Sequence, residues 1–149
     1  MGDKKKEAKK CVICVDDEQI VLNSISKQLR RALGPDYVYE FAESPEEANE
    51  IIDEIEQNND ELVMVISDQI MPSIKGDEFL VSVHDRYPDT VKILLTGQAA
   101  LESAVNAVNN ADLFRYLTKP WNEEDFIMAV KRGLERYDLL KKLKEQLLG

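Results

Sequence analysis

The chain has 149 residues, enough for one ordinary domain and too few for two sizeable cores. With 44% hydrophobic and 32% charged residues, it reads as globular rather than disordered. No apolar run exceeds five residues, against roughly 20 for a membrane span, and the lysine-rich start leads into no apolar stretch of signal-peptide length. A cytoplasmic protein with no membrane segment is the expectation. The net charge is −10, and because the first ten residues hold five lysines against Asp3 and Glu7, the rest carries −13. An acidic body without a basic stripe repels phosphate backbones, which argues against direct nucleic-acid binding.

Hydrophobic periodicity then gives the elements in chain order. Residues 1–10 read as a solvated lysine-rich arm. Cys11–Val15 is a continuous apolar run and reads as a buried strand. Its two cysteines form a C-x-x-C. Residues three apart on a strand face opposite ways, so the sulfurs do not converge, and no second pair completes a zinc site. Both are expected in the core. Val21, Leu22, Ile25, Leu29 and Leu33 follow at helical spacing, stopped by Gly34-Pro35-Asp36. Tyr37–Ala42 is a weaker strand. Ser44-Pro45-Glu46-Glu47 opens a helix with a cap, a first-turn proline and a capping-box glutamate; that helix turns Ala48, Ile51, Ile52 and Ile55 inward and frays at Asn58-Asn59.

Leu62–Ile66 is apolar at both parities, as at the centre of a parallel sheet. A loop with Pro72 and Gly76 precedes a helix over Asp77–Arg86, where the only histidine, His84, sits beside Asp85 and Arg86 and is expected at the surface. Val91–Leu95 is a strand, Leu101–Val108 a short helix and Phe114–Thr118 a fifth strand. A long helix runs from about Asn122 to Leu148, with Trp121 packed at its start. Five repeats of strand then helix argue for an α/β fold, a parallel sheet with helices on both faces.

In such sheets, ligands bind beyond the carboxyl ends of the strands. Asp16-Asp17-Glu18, Asp68, Thr96-Gly97 and Lys119-Pro120 fall at four of those ends. Carboxylates meeting there repel one another unless a cation intervenes, and a hard divalent ion such as Mg2+ or Mn2+ suits them. A carboxylate, a cation, a lysine and a hydroxyl together make a phosphoryl-transfer arrangement. Asp68 is its nucleophile, with Lys119 neutralising the transferred oxygens and Thr96 donating a hydrogen bond.

Val15-Asp16-Asp17-Glu18, Asp68-Gln69-Ile70-Met71-Pro72, Leu94-Leu95-Thr96-Gly97 and Tyr116-Leu117-Thr118-Lys119-Pro120 together resemble the receiver domain of bacterial two-component response regulators. The resemblance spans residues 11 to about 138. It implies a flavodoxin-like (CheY-like) doubly wound five-stranded sheet, order 2-1-3-4-5. It makes Asp68 the phosphoacceptor, loaded by a sensor histidine kinase or phosphotransfer protein. The metal set it implies is Asp17 and Asp68 directly, Asp16 mostly through water, and the backbone carbonyl of Ile70. Lys119 pairs with the phosphoryl group, and its bond to Pro120 is cis. Thr96 and Tyr116 match the switch pair, Thr96 drawn inward and the Tyr116 ring following, which reshapes the face of the fourth helix, fifth strand and fifth helix. Side chains at Ile70 and Gln98 stand where the family tunes phosphoryl lifetime.

The domain is expected over 11–138, with 139–149 as a helix extension. There Leu139 continues the apolar stripe and Leu140, Leu143 and Leu147 have the spacing of a coiled-coil seam. The extension reads as a homodimer seam, a linker stub or an amphipathic end folded onto the body. No enzymatic activity beyond self-catalysed phosphotransfer and dephosphorylation is expected. Three alternatives stand beside this reading. An aspartyl-nucleophile phosphatase wants an acid where Ile70 lies; a flavin carrier needs a phosphate-cradling loop where Asp16-Asp17-Glu18 lie; a phosphorylation-independent docking module would have a broken site.

Overall fold

The computed structural model describes residues 7–97 and 101–148. Its elements are β1 (Lys10–Val15), α1 (Gln19–Leu33), a 3-10 turn, β2 (Val38–Ala42), α2 (Pro45–Gln57), β3 (Glu61–Asp68), α3 (Gly76–Arg86), β4 (Val91–Thr96), α4 (Leu101–Ala111), β5 (Arg115–Thr118) and α5 (Glu123–Leu148). The strands form one parallel sheet in the order β2-β1-β3-β4-β5, so the doubly wound expectation holds. β1 begins at Lys10, and Lys9 bonds Asp60 and Glu61, so the end of the lysine-rich arm joins the sheet. Residues 1–6 and Gln98 lie outside the described residues. Among the described residues, no helix is long and apolar enough to cross a membrane.

The alternation within each strand divides the core into two layers. Cys11, Ile13, Val15, Val65 and Leu94 pack under α2, α3 and α4. Val12, Cys14, Ile66, Ile93 and Leu95 pack under α1 and α5. The two cysteines therefore face opposite ways and stay free, as their spacing on a strand requires. Burial pushes both thiols up, Cys11 to about 11 with help from Asp60 and Glu40.

Local signals explain the boundaries. α1 ends at Gly34, whose φ of 70° favours glycine and whose N–H bonds the Arg30 carbonyl. Ser44 Oγ caps α2 by accepting the Glu47 N–H (3.1 Å), while the Glu47 carboxylate reaches back to the Glu43 N–H, one residue before the usual capping-box partner. At Gly76, any Cβ would fall 2.0 Å from the Asp68 carbonyl oxygen, so only glycine lets α3 start flush against the end of β3.

α5 continues without a break to Leu148. The Tyr137 hydroxyl (3.1 Å) and Lys141 (2.7 Å) bond Glu61, and Lys144 pairs with Asp89, which fixes the helix's rotation against the amino ends of the strands. Leu140 is thereby turned toward a cleft with His84 and Phe114. The outward stripe is Leu139, Leu143 and Leu147, at 62%, 54% and 84% exposure. This corrects the seam expected at Leu140, Leu143 and Leu147. His84 is corrected too: it is half-buried, with Nδ1 2.9 Å from the ammonium of the buried Lys92.

Candidate functional site

Beyond the carboxyl ends of β1 and β3, the carboxylates of Asp16, Asp17 and Asp68 lie within 4.8 Å of one another. Asp16 is buried. One of its oxygens accepts the Glu18 N–H (2.8 Å), which shapes the turn into α1, and the other accepts from Lys119 Nζ (2.8 Å). The same ammonium reaches Asp68 Oδ1 at 2.9 Å. Lys119 arrives from the β5 edge of the sheet because β5 pairs with β4 through Thr118 and Thr96, and the Lys119 N–H bonds the Thr96 carbonyl (2.9 Å). The Lys119–Pro120 bond is cis. Asp17 is exposed and Asp68 buried, so the cluster opens to solvent on one side only.

Electrostatics follow from this packing. Burial raises the Asp68 carboxyl above the usual range; the Lys119 hydrogen bond pulls it back and the Asp16 charge pushes it up again. Burial acts to lower the Lys119 ammonium, but hydrogen bonds to Asp16 and Asp68 outweigh it and the net shift is upward. Three carboxylates face one ammonium, a surplus of two negative charges carried on hard oxygens. That donor set fits a divalent cation of the Mg2+ or Mn2+ kind.

A sequence model described as "Response regulator receiver domain" matches residues 12–131. The chain belongs to the receiver domain family of two-component response regulators. The receiver is 30% identical over 128 residues to the Cupriavidus necator protein "Hydrogenase transcriptional regulatory protein HoxA", covering 86% of this chain and 25% of that one. It thus spans about a quarter of that relative's length. A receiver domain from Clostridium thermocellum superposes with a TM-score of 0.77 at 28% identity, covering 88% of this chain and 98% of that chain. The beryllofluoride-activated NtrC4 receiver domain dimer gives 0.73 at 28% identity, covering 85% and 98%.

The remaining anticipated residues are placed less uniformly. Thr96 is fully buried at the end of β4, yet its hydroxyl donates to the Gly97 carbonyl (3.1 Å) rather than to Asp68. Tyr116 is 47% exposed on β5, and Val105 and Val108 of α4 are also exposed. Ile70 is solvent-facing in the loop after β3, while Met71 anchors that loop in the core. Trp121 packs on Phe126 and bonds Gln28 (2.9 Å). Gln69, Asp77 and Asn106, to which the sequence assigns no role in the site, form a polar cluster that starts at the residue after Asp68. Their separations along the chain carry no motif; the one available cue was a polar residue, Gln69, inside a buried stretch.

Proposed function

We propose that this receiver accepts a phosphoryl group on Asp68 from the phosphohistidine of a sensor kinase or phosphotransfer protein, and that this switches an output surface. The observation that carries the reading is Lys119 bridging Asp16 and Asp68 inside a cluster of three carboxylates. An Asp68 oxygen forms the new P–O bond as the donor's P–N bond breaks, and the imidazole keeps the electron pair. Water later hydrolyses the acyl phosphate, returning the carboxylate and inorganic phosphate. Asp17 and Asp68, with Asp16 through water and the Ile70 carbonyl, would hold the divalent ion. Bound there, Mg2+ or Mn2+ supplies charge neutralisation at the transferring oxygens.

Lys119 is preplaced to follow the charge from the carboxylate to the phosphoryl oxygens. Thr96 then exchanges its bond to Gly97 for one to the phosphoryl, and the half-exposed Tyr116 ring moves into the space left behind. The exposed Val105, Val108 and Tyr116 would be the apolar part of the face that changes. That face, continued by Leu139, Leu143 and Leu147, is the proposed homodimer surface. The chain acts on no substrate other than its own phosphoryl donor, and it works in the cytoplasm. Intact-mass measurement after incubation with acetyl phosphate and Mg2+ tests this. Wild type should gain one phosphoryl group and Asp68→Ala none; equal labelling of the variant sinks the assignment.

A further inference from the structure

Gln69, the residue after Asp68, is completely buried and makes a two-point clamp on α3. Its side-chain amide donates to Asp77 Oδ1 (2.8 Å), and its side-chain carbonyl accepts the Asp77 N–H (2.8 Å). The other Asp77 oxygen accepts from Asn106 Nδ2 (2.7 Å) in the middle of α4, and Asn106 Oδ1 in turn accepts from Asn110 (2.6 Å). These partners fix every donor and acceptor, because turning the Asn106 amide around would set its oxygen against the Asp77 carboxylate. The backbone is held as tightly. The Gln69 N–H bonds the Leu95 carbonyl (2.9 Å), the Gly76 N–H bonds the Gln69 carbonyl (3.0 Å), and Gly76 leaves no slack against the Asp68 carbonyl.

A displacement of the Asp68–Gln69 backbone therefore reaches the first turn of α3, and through Asp77 it reaches α4. This route shares no side chain with Thr96 and Tyr116. It is complete in the arrangement where the Thr96 hydroxyl bonds the Gly97 carbonyl instead of reaching Asp68 and the Tyr116 ring is half exposed, so it stabilises the placement of α4 that goes with that arrangement. We infer that Asp77 is a positioning residue that, through Gln69 and Asn106, latches α4 in its unphosphorylated arrangement. The two states then differ by contacts that modification of Asp68 must break, and breaking them in advance must favour the phosphoryl-bound state.

The inference rests on Asp68 as phosphoacceptor. Its test is beryllofluoride affinity in Mg2+, read by fluorescence of Trp121, with melting temperature measured in parallel. Asn106→Leu removes the donor to Asp77, and Asn106→Asp sets two carboxylates against each other. Both should tighten beryllofluoride binding, on the order of 5-fold or more, and speed labelling by acetyl phosphate. The exchange Asp77→Asn with Asn106→Asp restores each donor–acceptor pair and should return affinity to the wild-type value. A merely structural role would lower the melting temperature and leave affinity unchanged, which overturns the latch. So does a pair of single variants that bind more weakly than wild type, or an exchange that fails to restore affinity. Failure of wild type to bind beryllofluoride would instead remove the phosphoacceptor reading.

Discussion

Lys92 offers a direct test of how the core treats charge. It stands on β4 inside an otherwise apolar run, 1% exposed, with its ammonium 2.9 Å from His84 Nδ1 and donating to the Pro88 carbonyl (3.3 Å). Burial lowers its pKa from the ordinary 10.5 to about 8, with Asp112 and Asp89 acting against that and Arg136 with it. Between those two pH values the unfolded chain keeps a proton that the native state has lost, so this group makes stability rise with pH. At roughly 1.36 kcal/mol per pH unit, the whole displacement caps the effect near roughly 3 kcal/mol. The ammonium borders the cleft lined by His84, Pro88 and Asp89, and solvent screening there brings the figure to about 2 kcal/mol. Lys92→Met removes the titration with little change in volume and should be the more stable protein at neutral pH. Urea unfolding of both proteins from about pH 7 to about pH 10 should show the difference moving by about 2 kcal/mol in favour of wild type. Cys11 and Tyr137, also pushed upward, titrate in both proteins and cancel. A difference that stays flat with pH would refute the reasoning.

Three further outcomes are expected. Asp17→Asn should weaken Mg2+ binding by titration calorimetry and slow acetyl-phosphate labelling in parallel, since it removes the exposed carboxylate of the cluster. Asp68→Asn should raise stability in divalent-free buffer by about 1 kcal/mol, because burial and Asp16 outweigh Lys119 at that carboxyl; denaturant unfolding checks the sign. Deleting residues 139–149 should weaken beryllofluoride-induced self-association at least about 5-fold by sedimentation while leaving phosphorylation of Asp68 unchanged.

What could be read in advance was whatever depends on periodicity and strand ends. Leu62–Ile66 and Cys11–Val15 announce a sheet covered on both faces, and once the strands are parallel, Asp16, Asp17, Asp68 and Lys119 must converge. What escaped depends on rotation and packing between elements. Counting cannot say whether Leu139 or Leu140 faces inward; the grip of Tyr137 and Lys141 on Glu61 decides it. His84 looks exposed beside Asp85 and Arg86, yet it lies over β4, where Lys92 needs an acceptor. Asp77 and Asn106 meet only because α3 and α4 pack side by side.

The opposed cysteines of β1 give the molecule two internal reporters. Cys11 belongs to the layer under α2, α3 and α4, and Cys14 to the layer under α1 and α5. Both thiols are buried and held protonated, so reaction with an alkylating reagent waits on an opening that admits solvent. The two alkylation rates then time the loosening of each layer separately, without any introduced label. A change at Asp68 that loosens only the α4 side should quicken Cys11 and leave Cys14 at its old pace.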